Sequence, residues 1–125
     1  MTKHFANVLA IDDEPLILRF LQYNLRLAGY TVHTASAGAE GVSIMQASPL
    51  DLVLLDLGLP DLDGQTVAAL LKSMPHLTQT PLVAVTAWPP DTAKEMAKAY
   101  GCTGYISKPI SPKEFPSQIA AYFKN

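Results

Sequence analysis

Cysteine is nearly absent, for Cys102 stands alone. No internal disulfide can form, so the fold must rest on its apolar core, and the usage fits a reducing, cytoplasmic setting. Charge of either sign is sparse. Nine Lys and Arg against eleven Asp and Glu leave a net charge of −2, and the basic residues are scattered, so no nucleic-acid surface is expected. No run approaches the ~20 apolar residues that span a bilayer. The start, Met1-Thr2-Lys3-His4-Phe5, lacks the apolar core of a signal peptide, and membrane insertion is not expected. Repeats, low-complexity tracts and linkers are missing. What remains is 125 residues, 49% of them apolar, enough for one compact domain expected to span 1–125.

One stretch organises the rest. Leu50 to Leu57 is a nearly continuous apolar run, broken only by Asp51 and Asp56. Such a run reads as a strand buried on both faces of a parallel sheet. It delivers Asp56 to the carboxyl end of that strand, the edge at which open parallel sheets hold their ligands. Gly58, Pro60 and Gly64 then mark a loop. A carboxylate in that place is a candidate nucleophile or a turn cap.

Four further strands are expected. Asn7–Ile11 runs into Asp12-Asp13-Glu14, and Thr31–Thr34 alternates. Pro81–Thr86 and Gly104–Ser107 are again apolar. Between them lie five helical patterns. The first opens at Pro15, carries Ile17, Phe20, Leu21 and Leu25, and stops at Gly29. Ser36 can cap the second, which Gly38 and Gly41 weaken. The third follows Gly64, with Val67, Leu70, Leu71 and Met74 inward and Pro75 as its stop. The fourth opens at Asp91 or Thr92, with Met96, Ala97 and Tyr100 on one face. Ser111-Pro112-Lys113-Glu114 is a capping box for the fifth, which carries Phe115, Ile119 and Tyr122 and is bent by Pro116.

Strands alternating with helices predict an α/β fold, a doubly wound five-stranded parallel sheet. The expected order is 2-1-3-4-5, with the switch point between strands one and three. Asp12 and Asp13 then face Asp56 across the crevice. Three converging carboxylates repel one another without a counter-ion. A hard divalent cation such as Mg²⁺ answers that need, and so does Lys108, at the end of strand five before Pro109. Thr86 ends strand four and adds a hydroxyl donor. His4, His33 and His76 are scattered and belong to no such set.

These residues, taken in order, resemble the receiver domain of bacterial response regulators, of the flavodoxin-like fold. The resemblance rests on Asp12-Asp13, on Asp56 with Pro60 and Gly64 behind it, on Thr86 and on Lys108-Pro109, and it covers essentially the whole chain. It implies that Asp56 is the phosphoacceptor, taking a phosphoryl group from the phosphohistidine of a sensor histidine kinase or phosphotransfer protein. It implies that Asp13, Asp56 and the backbone carbonyl of Gly58 bind Mg²⁺ (or Mn²⁺), with Asp12 acting through water. Lys108 and Thr86 would meet phosphoryl oxygens, and Tyr105 would turn inward as Thr86 moves. The surface of helix four, strand five and helix five would then bind an unidentified downstream protein or serve a phosphorelay.

Three positions depart from the family pattern. Gly58, two after the phosphoacceptor, has no side chain and leaves the cleft open. Trp88, the only tryptophan, stands two after Thr86 and is expected to lean over that cleft, controlling access with Gly58. Pro89-Pro90 stiffens the loop before helix four. The rival readings fit less well. An Mg²⁺-dependent phosphohydrolase with an Asp nucleophile would carry nucleophile and acid two residues apart after strand one, and a cap domain. A flavodoxin-type electron carrier would need a Ser/Thr/Gly-rich phosphate loop where Asp12-Asp13-Glu14-Pro15 stands.

Overall fold

The computed structural model describes residues 6–123. The stretch Met1–Phe5, His4 included, lies outside the described residues. Five strands, β1 (Asn7–Ile11), β2 (Thr31–Ala35), β3 (Leu52–Asp56), β4 (Leu82–Thr86) and β5 (Gly104–Ser107), alternate with five helices. These are α1 (Pro15–Leu27), α2 (Gly38–Ala47), α3 (Gly64–Ser73), α4 (Pro90–Tyr100) and α5 (Phe115–Ala120). All strand pairs are parallel, in the order β2-β1-β3-β4-β5. The doubly wound sheet expected from the sequence is the one observed.

The period of two along each strand sorts the core into two layers. Val8, Ala10, Leu52, Leu54, Val83, Val85 and Ile106 pack with Leu21 and Leu25 of α1 and Phe115 and Ile119 of α5. Leu9, Ile11, Val53, Leu55, Leu82 and Ala84 pack on the other side with Met45 of α2, Val67, Ala68 and Leu71 of α3, and the half-buried Met96 and Tyr100 of α4. Leu16, Tyr23 and Leu27 remain exposed on the outer face of α1.

Several local expectations need correction. Ser36 does not cap α2. Ala37 occupies that position and supplies no side-chain bond, while the Ser36 amide and hydroxyl both donate to Glu40. Gly38 and Gly41 have a packing role besides their cost to the helix. A Cβ on Gly41 would overlap Ile11, and one on Gly38 would stand 2.8 Å from the Leu62 Cβ. α2 therefore sits closer to β1 and to the β3–α3 loop than a side chain allows. Leu70 faces solvent, and Ala68 takes the inward place. α4 opens at Pro90, with Pro89 at its cap. Proline's fixed φ suits the first helical position, where its missing N–H would have been unpaired anyway. Pro116 falls in the first turn of α5, not the second. It stands at the second helical position, because it has no N–H to continue the ladder back to Pro112 and the regular helix begins only at Phe115. The Ser111 hydroxyl still accepts from the Glu114 amide at 3.3 Å.

Candidate functional site

Strand register builds the site. Ile11 pairs with Leu55, so the next residues, Asp12 and Asp56, leave the sheet side by side. Asp56 pairs with Val85, and Thr86 with Ser107, so Thr86 and Lys108 complete the same edge. The Lys108 amide donates to the Thr86 carbonyl at 2.8 Å, which holds these two strand ends together. Asp12, Asp56 and Lys108 continue the alternation of the layer beneath α1 and α5. Thr86 continues the opposite layer. That parity explains which of them meet.

The Lys108 ammonium lies 2.9 Å from Asp12, 3.7 Å from Glu14 and 3.8 Å from Asp56. Asp12 is 1% exposed and Asp56 8%, while Asp13 is open to solvent. Carboxylate oxygens of Asp12, Asp13 and Asp56 all lie within 4.8 Å of one another. Further bonds orient the group. Asp12 accepts from the Glu14 amide at 2.9 Å, and Asp56 from the Gly58 amide at 3.0 Å. The Thr86 hydroxyl, itself buried, accepts from the Trp88 amide at 3.0 Å, which leaves its own O–H free to donate.

Burial pushes the Asp56 carboxyl above its usual value. The Gly58 amide opposes that rise, the Asp12 charge adds to it, and Lys108 opposes it again. Burial would lower the Lys108 ammonium, but the bond to Asp12 and the charges of Asp56, Asp12 and Glu14 outweigh it, and the net shift is upward. Asp61 and Asp63 differ. Backbone amides hold both below the ordinary carboxylate range, Ala39 and Gly38 for Asp61 and Thr66 for Asp63.

These shifts act on stability in opposite senses. A carboxyl raised in the folded state favours folding in acid, and that contribution is lost as pH rises through its folded value. Depressed carboxyls stabilise above the ordinary carboxylate range and cease to as pH falls through their folded values. Without divalent metal, Asp56→Asn is therefore expected to melt higher than the parent at neutral pH. The gap should close as pH falls below the carboxylate range. Melting curves in chelator from pH 3 to 8 check this, and coincident curves throughout would show that Asp56 meets no net repulsion.

The structure thus brings Asp12, Asp13, Asp56, Thr86 and Lys108 to one edge. Gly58 is exposed beside them, with only Asp56 near the position a Cβ would take. Tyr105 is half-buried against the layer under α2, α3 and α4. Trp88 packs against that same layer, on Thr86's side of the sheet, rather than on the side of Lys108 and the buried carboxylates. The sequence reading missed Asp61, whose two oxygens accept from the first amides of α2 at 2.9 and 3.0 Å, and Glu14 as a partner of Lys108. It also missed His76, bonded at 2.7 Å to the Met45 carbonyl. Gly38 was the one available signal for the Asp61 contact.

The response regulator receiver domain model matches residues 8–120. The chain belongs to that family. The receiver is 41% identical over 114 residues to the transcriptional regulatory protein KdpE of Mycobacterium tuberculosis, covering 91% of this chain and 49% of that protein. The chain thus spans about half the length of the KdpE relatives it matches. It is 32% identical over 122 residues to the polar-differentiation response regulator DivK of Brucella ovis, covering 98% of this chain and 97% of DivK. Its fold matches the chemotaxis response regulator CheY4 of Vibrio cholerae at 28% identity and a TM-score of 0.89, over 95% and 99% of the two chains. Among the described residues of the receiver, no helix is long and apolar enough to cross a membrane.

Proposed function

We propose that residues 1–125 act as the phosphoacceptor receiver of a response regulator in the cytoplasm. Asp56 accepts a phosphoryl group from the phosphohistidine of a sensor histidine kinase or phosphotransfer protein. A carboxylate oxygen of Asp56 forms the new bond to phosphorus as the P–N bond breaks and the imidazole leaves. The observation that carries this reading is the convergence of three carboxylates and one ammonium at the end of β3. Phosphoryl transfer depends on positioning and charge neutralisation more than on covalent assistance, and this edge supplies both. The receiver modifies itself and turns over no separate substrate.

The donor set fits a divalent cation. All three side chains offer hard oxygen, and three negative charges exceed what one lysine balances. Asp13, Asp56 and the Gly58 carbonyl would hold Mg²⁺ or Mn²⁺, with Asp12 acting through water. When bound, the ion supplies positive charge for the phosphoryl oxygens. Lys108 neutralises another of those oxygens, and Thr86 donates its hydroxyl to a third. Tyr105 stands between two surface clefts of about 390 and 380 Å³. Lys94, Ala97 and Lys98 of α4 line one, and Glu114 and Gln118 at α5 line the other. A change at Thr86 therefore has a surface to alter across α4, β5 and α5, which would serve a downstream protein or a relay.

The testing experiment is a phosphotransfer profile against the host's histidine kinases, followed by capture of partners with the phosphorylated form. Transfer from none of them, with release of phosphate from small phosphate esters instead, would favour the phosphohydrolase reading.

Trp88 offers an internal reporter. Its amide holds the Thr86 hydroxyl, and Gly58 leaves the cleft opposite uncovered. Tryptophan emission is expected to change when a beryllofluoride phosphate mimic and Mg²⁺ are added. Trp88→Ala keeps that amide, and the side chain it removes packs on the layer under α2, α3 and α4, so the acyl-phosphate lifetime and Mg²⁺ affinity are expected to stay nearly unchanged. A shortened lifetime in Trp88→Ala would instead place the side chain in control of the cleft.

A further inference from the structure

The loop from Asp56 to Gly64 holds half of the proposed cation site and is tied to α2 at one point. Both carboxylate oxygens of Asp61 are engaged there, one by the Gly38 amide at 2.9 Å and one by the Ala39 amide at 3.0 Å. These amides open α2 and have no partner within the helix. The cap residue of α2, Ala37, carries no side-chain oxygen to serve them. Leu62 closes on Gly38 so tightly that a Cβ there would stand 2.8 Å from its own Cβ. At the other end of the tie, Gly41 lets α2 settle directly on Ile11, the residue before Asp12 and Asp13. A closed ring results. It runs from Asp12-Asp13 through Ile11, Gly41, Gly38 and Asp61 to Gly58 and Asp56.

We propose that Asp61 is a positioning residue for the acidic site. It fixes the β3–α3 loop to α2, and hence fixes the spacing of Gly58 and Asp56 from Asp12 and Asp13. This rests on the reading of those residues as a divalent-cation site. Asp61 touches neither cation nor phosphoryl group. It acts by holding the loop at a set distance from a helix that is seated on β1.

Asp63 supplies a matched control. It too is an exposed carboxylate of the same loop, and it caps α3 by accepting from the Thr66 amide at 2.7 Å, but it makes no tie to α2. Calorimetric titration with Mg²⁺ alone compares the parent, Asp61→Ala, Asp61→Asn and Asp63→Ala. Asp61→Ala is expected to weaken binding about tenfold, the low end for residues that support metal ligands from behind. Asp63→Ala should stay near the parent. Asp61→Asn should recover part of the loss, since its amide oxygen can serve one of the two α2 amides, and it serves as the test variant if Asp61→Ala does not fold. Hydrogen exchange gives a second reading. Mg²⁺ should slow exchange at Gly38 and Ala39 in the parent and not in Asp61→Ala. Equal Mg²⁺ affinity in the parent and both Asp61 variants, or equal weakening in Asp63→Ala, would overturn the proposal alone. A parent that binds no Mg²⁺ would overturn the cation reading and this proposal with it.

Discussion

In Asp56→Asn, phosphoryl labelling by a small phosphodonor in Mg²⁺ is expected to fall to background. Asn is nearly the same size and cannot form an acyl phosphate, so the change removes the proposed nucleophile and little else. Three acids lie near Asp56, but none shares its placement. Asp12 is buried and ion-paired to Lys108 at 2.9 Å. Asp13 and Glu14 are open to solvent, and the Lys108 ammonium stands 3.7 Å from Glu14. Asp56 alone ends the central strand, with Lys108 at 3.8 Å to neutralise an incoming phosphate and a carboxyl raised by burial toward greater basicity. A carboxylate of higher basicity is the better nucleophile so long as it stays ionised, which Lys108 and the Gly58 amide favour. Phosphate mapping by mass spectrometry checks the result. Full labelling of Asp56→Asn, with phosphate on another residue, would remove Asp56 from the role.

The convergence at this edge was legible because it is a property of strands. Apolar runs at Asn7–Ile11, Leu52–Leu55 and Leu82–Val85 state where each strand ends, and parallel order fixes which ends adjoin. Asp12, Asp56, Thr86 and Lys108 each follow such a run by one residue or close it. The closer approach of Lys108 to Asp12, 2.9 Å against 3.8 Å to Asp56, was not legible. It depends on side-chain reach across three strands, and strand periodicity only shows that both residues share a side. Asp61 was illegible for another reason. Its partners stand 22 and 23 positions away, and its sequence neighbours form an ordinary turn. Gly38 and Gly41 were read only as weak helix formers, because propensity prices a glycine by its own backbone. Their value lies in what they let approach, Leu62 and Ile11. α4 opens at Pro90, which had been read as part of the preceding loop, and α5 opens at Phe115, three residues after the Pro112 start that the capping box suggested.

Lys108→Met is expected to cost about 3 kcal/mol of stability at neutral pH in chelator, the lower end for removing one partner of a buried pair. The lysine side chain is only 10% exposed, and Asp12 is 1% exposed, so little water is present to replace the lost charge. An ion pair on the open surface would be worth ~1 kcal/mol or less, and burial decides between the two cases. Without the lysine, Asp12 and Asp56 confront each other with no cation between them, and the Asp56 carboxyl rises further. The deficit should shrink as pH falls and Asp56 takes up a proton. In the parent, Lys108 has its pKa raised, so its stabilisation is complete below the ordinary lysine value and fades as alkaline pH passes the raised one. Divalent metal should act more strongly on the variant than on the parent. An ion bound only to the native state adds about 2.7 kcal/mol at a hundred times its dissociation constant, and a site freed of a competing ammonium binds a cation more tightly. Urea unfolding of parent and Lys108→Met, with chelator and with Mg²⁺, measures each quantity. Equal stability in chelator would mean that solvent screens these charges despite their burial. A deficit that Mg²⁺ leaves untouched would separate the lysine from the carboxylate cluster it is argued to balance.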